Sequence, residues 1–153
     1  MTTPIQSSPG SAGAELKPTL SAARRIWMEE TESRLAPVIG QAAPFWDRWT
    51  VARYLADEFM GQYRRERALL DELRPFLDPP VTERLVGQRE RIGCLRAALD
   101  DLGRRRGTGL AFAETGRQLL DAVQEWCAEI DAAERCLAQP GPWRTPVGLE
   151  RNR

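Results

Sequence analysis

Gln62, Glu66 and Gln88 occupy positions where a helical apolar series would place hydrophobic side chains. Between Phe45 and Leu77 the series is Phe45, Trp49, Ala52, Ala56, Phe59, Tyr63, Leu70, Leu73 and Leu77, and Gln62 and Glu66 share its side. Val81, Leu85, Ile92, Leu95, Leu99 and Leu102 form a second series, which Gln88 interrupts. Glu134 lies beside a third, made of Phe112, Gly116, Leu119, Val123, Trp126, Ile130, Ala133 and Leu137. A carboxylate drawn into an apolar seam finds a cationic or hydrogen-bonding partner, or takes up a proton. Arg53 and Arg89 are the arginines expected to reach it. The pattern supports three readings: side chains on the edge of a wide stripe that reach water, a structural polar network, or a site for a ligand or metal. In the second and third, Gln62, Glu66, Gln88 and Glu134 form one polar level across three helices.

Other chemistry is constrained by what the chain lacks. It has no histidine, which removes the usual neutral-pH general base and the commonest metal ligand. Cys94, Cys127 and Cys136 have no zinc-type spacing, and their odd number without a secretory leader fits reduced thiols in the cytoplasm. Cys127 falls near an apolar seam and is expected to be a buried, inert thiol, with Cys136 on the opposite side of the helix. Acidic and basic residues number 22 each, so the chain has none of the basic surplus of a nucleic-acid binder. The arginine runs at 64, 65 and 67 and at 104–106 are flanked by Asp71, Glu72, Asp100 and Asp101, which favours solvated ion pairs over phosphate sites. No apolar run approaches the ~20 residues of a membrane span.

The elements that would carry these residues are helical. A tail rich in Ser, Pro, Gly and Thr covers residues 1–18 and is expected to be disordered. Helix one is expected over about residues 19–36, with Leu20, Ala23, Trp27, Thr31 and Leu35 as its stripe, Arg24 on its polar side, and Pro37 as its end. Helix two spans about residues 44–74 unbroken, rising about 45 Å. Gly61 within it either costs about 1 kcal/mol against alanine or admits a close neighbour. Helix three follows Asp78 and Pro79 to about residue 102, and helix four covers about residues 110–138. Residues 139–153, with Pro140, Pro142 and Trp143, form an irregular tail. No alternating β-branched segment occurs, so the expected fold is an all-α, antiparallel up-down-up-down four-helix bundle spanning residues 19–138.

Three short runs resemble the ligand segments of hemerythrin-like domains, which are four-helix bundles holding a di-iron centre with histidines and carboxylates. Gln62-Tyr63-Arg64-Arg65-Glu66 resembles an H-x-x-x-E pattern with Gln in the histidine place. Ile130-Asp131-Ala132-Ala133-Glu134 resembles a second such segment, with Ile for His. Gln88-Arg89-Glu90-Arg91-Ile92 resembles the E-H-x-x-I run, with Arg89 in the histidine place. The resemblance covers about residues 45–140 and implies the bundle fold without its iron, because each matched histidine is replaced and only Glu66 and Glu134 remain.

The function expected from these readings is that of a non-catalytic, cytoplasmic accessory or protein-interaction bundle without cofactor or metal. Its alternative is a hemerythrin-like metal or small-ligand binder using core carboxylates. The expected partner is another protein, with a homodimer as the other assembly, and neither nucleic acid nor membrane is expected. Trp46, on a shoulder of helix two, and Trp143, in the tail, are the partner-binding candidates, since aromatic and arginine anchors dominate interfaces. Trp49 is expected in the core, and Trp143 has the alternative of folding back on the bundle end.

Overall fold

A computed structural model describes the backbone of residues 9–139 and the side chains of residues 21–139. Its elements are α1 (Pro9–Ile39), α2 (Phe45–Ala56), α3 (Glu58–Leu73), a 3-10 turn (Arg74–Phe76), α4 (Pro79–Gly103) and α5 (Gly109–Ala138). No strand occurs among the described residues. The described residues therefore build four helical rods, with α2 and α3 as two halves of the second.

Helix α1 departs from expectation at both ends. It starts at Pro9 rather than near residue 19, taking in residues assigned by composition to the tail. It also continues past Pro37, a position where a helix loses one backbone hydrogen bond. Burial holds that last turn: Leu35 and Val38 are enclosed, and Ile39 lies against Gly116 of α5. Arg117 Nη2 donates to the Ile39 carbonyl at 2.6 Å, satisfying one of the acceptors that a helix end leaves open.

The second rod is not continuous. It breaks at Asp57 (φ −109°, ψ −82°), whose N–H still reaches the carbonyls of Arg53 and Tyr54. Neither proline nor glycine marks the place, and nothing in the local sequence explains it. The inward face also differs from the expected series. It runs Arg48, Ala52, Leu55, Phe59, Gln62, Glu66, Leu70, so that Trp49 is only half-buried and Arg48 is enclosed in its stead. Arg48 is tolerated because Nη1 donates to the Ala43 carbonyl at 2.6 Å and Nη2 to that of Arg105 at 3.3 Å.

Helix α5 is deeply packed, and its buried residues include the expected seam from Phe112 to Ala133. It touches α1 where Arg24 reaches Asp131 and Glu134, and again where Leu35 and Ile39 meet Gly116. It meets α4 where Gln88 reaches Glu129 and where Leu99 approaches Gly116. Helix α4 lies along the second rod from Gly103 against Ala52 to Arg89 against Arg67 and Asp71. Each fully buried Leu, Ile or Phe of this core contributes about 1.5–3 kcal/mol relative to exposure. Gly103 is required at its place, since a Cβ there would stand 2.7 Å from the Ala52 Cβ and 3.1 Å from the Arg48 carbonyl oxygen. Gly61 is the opposite case: a Cβ would meet nothing within 4 Å, so it admits no neighbouring helix.

Candidate functional site

The polar interruption on α3 is a buried charge layer organised by an arginine of α1. The stripe of α1 runs Arg24, Trp27, Thr31, Leu35, Val38, which turns Arg24 inward rather than onto the polar side. Arg24 and Glu66 are each 1% exposed. Arg24 Nε donates to Glu66 Oε1 at 2.7 Å, and Trp126 Nε1 of α5 donates to the same oxygen at 2.8 Å. Gln62 Nε2, one helical turn before Glu66, donates to Oε2 at 2.8 Å. Arg24 Nη1 extends the layer to Glu134 Oε1 at 2.6 Å and to Asp131 Oδ1, both half-buried at the edge of α5.

This arrangement resolves the cost of a carboxylate in an apolar seam. Both Glu66 oxygens accept charge-assisted or neutral hydrogen bonds, as an ionised carboxylate can. Burial works against the Arg24 charge, but its bonds to Glu66 and Glu134 and their negative charges raise its pKa above the ordinary arginine value. The guanidinium is thus a fixed internal cation among three carboxylates.

Of the expected polar level, Gln62, Glu66 and Glu134 come together. Gln88 does not join them: it is half-buried on the shoulder of α4, and its Nε2 donates to Glu129 Oε1 at 3.0 Å. Arg53 and Arg89 do not reach Glu66 either. Arg53 lies 5.1 Å above the Trp49 ring, and Arg89 pairs with Asp71 at 3.1 Å. Arg24, Trp126 and Asp131 are the members that the seam reading omits. The three-four spacing from Arg24 through Trp27 to Val38 carries the first, and the need of a buried indole N–H for an acceptor carries the second.

The carboxylates do not fit a di-iron centre. There is no histidine, and the acceptor atoms that would turn to a metal are bonded to Arg24, Trp126 and Gln62. Among the described residues no group of three or more Cys, Asp or Glu is arranged to hold a metal ion. Cys127 is buried within α5, and that burial pushes its thiol pKa up to about 12, while Cys94 and Cys136 are exposed. No described helix is long and apolar enough to cross a membrane.

A second constellation lies at the start of α2. Trp46 is 66% exposed. Its ring packs edge-on to Phe45 at 5.3 Å and to Trp49 at 6.0 Å. Arg106 lies 4.7 Å above Phe45, as Arg53 does above Trp49, so cations flank the aromatic row. Of the neighbouring arginine run, Arg104 pairs with Asp100 and Arg105 with Asp101. Arg106 has no such partner among the described residues. Trp143, the other partner-binding candidate, lies outside the described residues. No family model matches the chain, and no curated protein or solved structure matches it either.

Proposed function

We propose that the chain is a non-catalytic protein-interaction bundle that docks another protein on the aromatic–arginine face at the start of α2. The observation that carries this reading is the row Phe45, Trp46 and Trp49, with Trp46 largely in water and Arg53 and Arg106 stacked on its neighbours. Large aromatics and arginines supply most of the energy of known interfaces. Stacked arginines free of carboxylate partners suit a partner segment that combines apolar with acidic side chains. The pairing of rising with falling residue numbers between neighbouring rods, such as Arg24 with Asp131 and Leu35 with Gly116, supports an antiparallel up-down-up-down course. That course agrees with the resemblance to hemerythrin-like bundles in architecture, and the internal arginine stands against their metal chemistry in this chain. Three cysteines without metal-type spacing fit a reducing, cytoplasmic setting for this role.

The test compares capture by the intact chain with capture by Trp46→Ala and Arg53→Glu, followed by titration of the purified partner so identified. Both variants are expected to weaken that partner at least about tenfold, the loss of a central aromatic or arginine anchor, with helicity unchanged. Undiminished affinity of the purified partner for Trp46→Ala overturns the assignment. Sedimentation that shows a dimer of the intact chain, and a monomer for Trp46→Ala, would make the docked protein a second copy.

A further inference from the structure

Helices α1 and α3 leave an open groove between them on the side of α1 away from Asp131, of about 270 Å³, and its chemistry is unlike that of the α2 face. Its walls are Ile26 and Trp27 of α1 and Tyr54 of α2, and it passes over Gly61 of α3, where a side chain would meet nothing within 4 Å. The missing side chain at 61 keeps the groove open. The Trp27 ring is 4% exposed and forms the apolar floor of the groove.

The two ends of the groove carry opposite charges. Glu58 and Arg65 are exposed, both line it, and neither is paired with an opposite charge among the described residues. Arg34, the cation whose charge bears on Glu58, is bonded to Glu30 at 3.0 Å. Arg65 spends one N–H on Gln62 Oε1 at 3.2 Å and keeps the rest of its guanidinium. Seven residues apart on one helix, Glu58 and Arg65 are separated by a rise of about 10.5 Å. An extended tripeptide spans about 10 Å.

From the unmatched end charges and the apolar walls, we infer that this groove binds a short zwitterionic peptide. The ammonium group of the peptide lies at Glu58, its carboxylate at Arg65, and an apolar central side chain lies over Gly61 and Ile26. The groove is independent of the α2 face, so Trp46→Ala leaves peptide binding intact.

The probe is alanyl-phenylalanyl-alanine, titrated calorimetrically into the full chain beside its N-acetylated and its C-amidated forms. Saturable binding is expected, with each blocked form about fivefold weaker, the factor of an exposed ion pair. In Glu58→Gln the N-acetylated and free peptides should bind equally, and in Arg65→Gln the amidated and free forms should. Gly61→Leu, which fills open space and needs no repacking, is expected to abolish binding with the helical spectrum unchanged. Absence of saturation up to about 10 mM, an affinity too weak for three anchors, overturns the inference. So do equal affinities of the blocked and free peptides for the native chain, or undiminished binding by Gly61→Leu.

Discussion

Removing either half of the Arg24–Glu66 pair should destabilise the bundle, and by unequal amounts. In Glu66→Leu, Arg24 keeps Asp131 and Glu134 through Nη1, so its charge stays compensated. The losses are the acceptors of Arg24 Nε, Trp126 Nε1 and Gln62 Nε2. Gln62 borders the open groove and can turn to water, which leaves two stranded donors. At about 1–3 kcal/mol per stranded donor, less about 2 kcal/mol gained from burying a leucine, the net cost is about 2 kcal/mol. In Arg24→Met the Glu66 carboxylate stays 1% exposed with only neutral donors, and Glu134 adds like charge nearby. That loss falls in the range of about 3–5 kcal/mol seen when one partner of a buried pair is deleted. The double variant Arg24→Met/Glu66→Leu removes both charges and should cost less than the sum by at least about 2 kcal/mol. Urea denaturation of the four proteins, followed by far-ultraviolet circular dichroism, measures this coupling. Single-variant losses that add to within about 0.5 kcal/mol, the margin for independent sites, would refute the buried layer. Glu66→Leu proving costlier than Arg24→Met would refute the assignment of Arg24 as a shared cation.

Other expectations concern packing and titration. Gly103→Ala should cost about 1–3 kcal/mol, because its Cβ would press on Ala52, the Arg48 carbonyl and Phe112 rather than on a mobile side-chain tip. Gly61→Ala should instead stabilise by up to about 1 kcal/mol, and thermal denaturation separates the two signs. Cys127 should resist a disulfide reagent at about pH 8 in the folded protein, while Cys94 reacts, because only thiolate attacks and Cys94, unlike Cys127, is exposed. Because folding raises the Cys127 pKa from 9.0 to about 12, its contribution is whole below pH 9 and is lost as pH climbs toward 12. Burial also raises Tyr54 and Tyr63 above their ordinary 10.0, with the same sign. Urea midpoints should therefore fall between about pH 8 and about pH 10.5, and less steeply in Cys127→Ala.

The helical class and the seam of α5 were legible because three-four periodicity reports burial directly, and every position from Phe112 to Ala133 on that seam is enclosed. Periodicity failed where residue type and burial part company. Trp49 reads as core and Arg48 as surface, yet backbone carbonyls at Ala43 and Arg105 make the arginine the better interior residue. Arg24 misleads in the same way, since its acceptors lie 42 to 110 positions along the chain. A helical wheel holds information about one element, and a partner on another element is outside it. The passage through Pro37 is likewise held by contacts between helices, Ile39 with Gly116 and Arg117, rather than by local propensity.

The span of the charge layer also sets an order of events during synthesis. Arg24 leaves the ribosome first, and Glu66 follows 42 residues later, but Trp126, Asp131 and Glu134 belong to α5, the last of the described helices. Until α5 emerges, the nascent chain carries an unfilled slot where Trp126 belongs and a cation only partly countered. A collapse of the first three rods alone therefore lacks the indole and the carboxylates that complete the layer. Arrival of α5 fills the slot and supplies the remaining carboxylates in a single register, because a one-turn slip would displace Trp126 from Glu66 by about 5.4 Å. The Arg24–Glu66 pair thus ties the earliest described helix to the last through one carboxylate shared with Trp126.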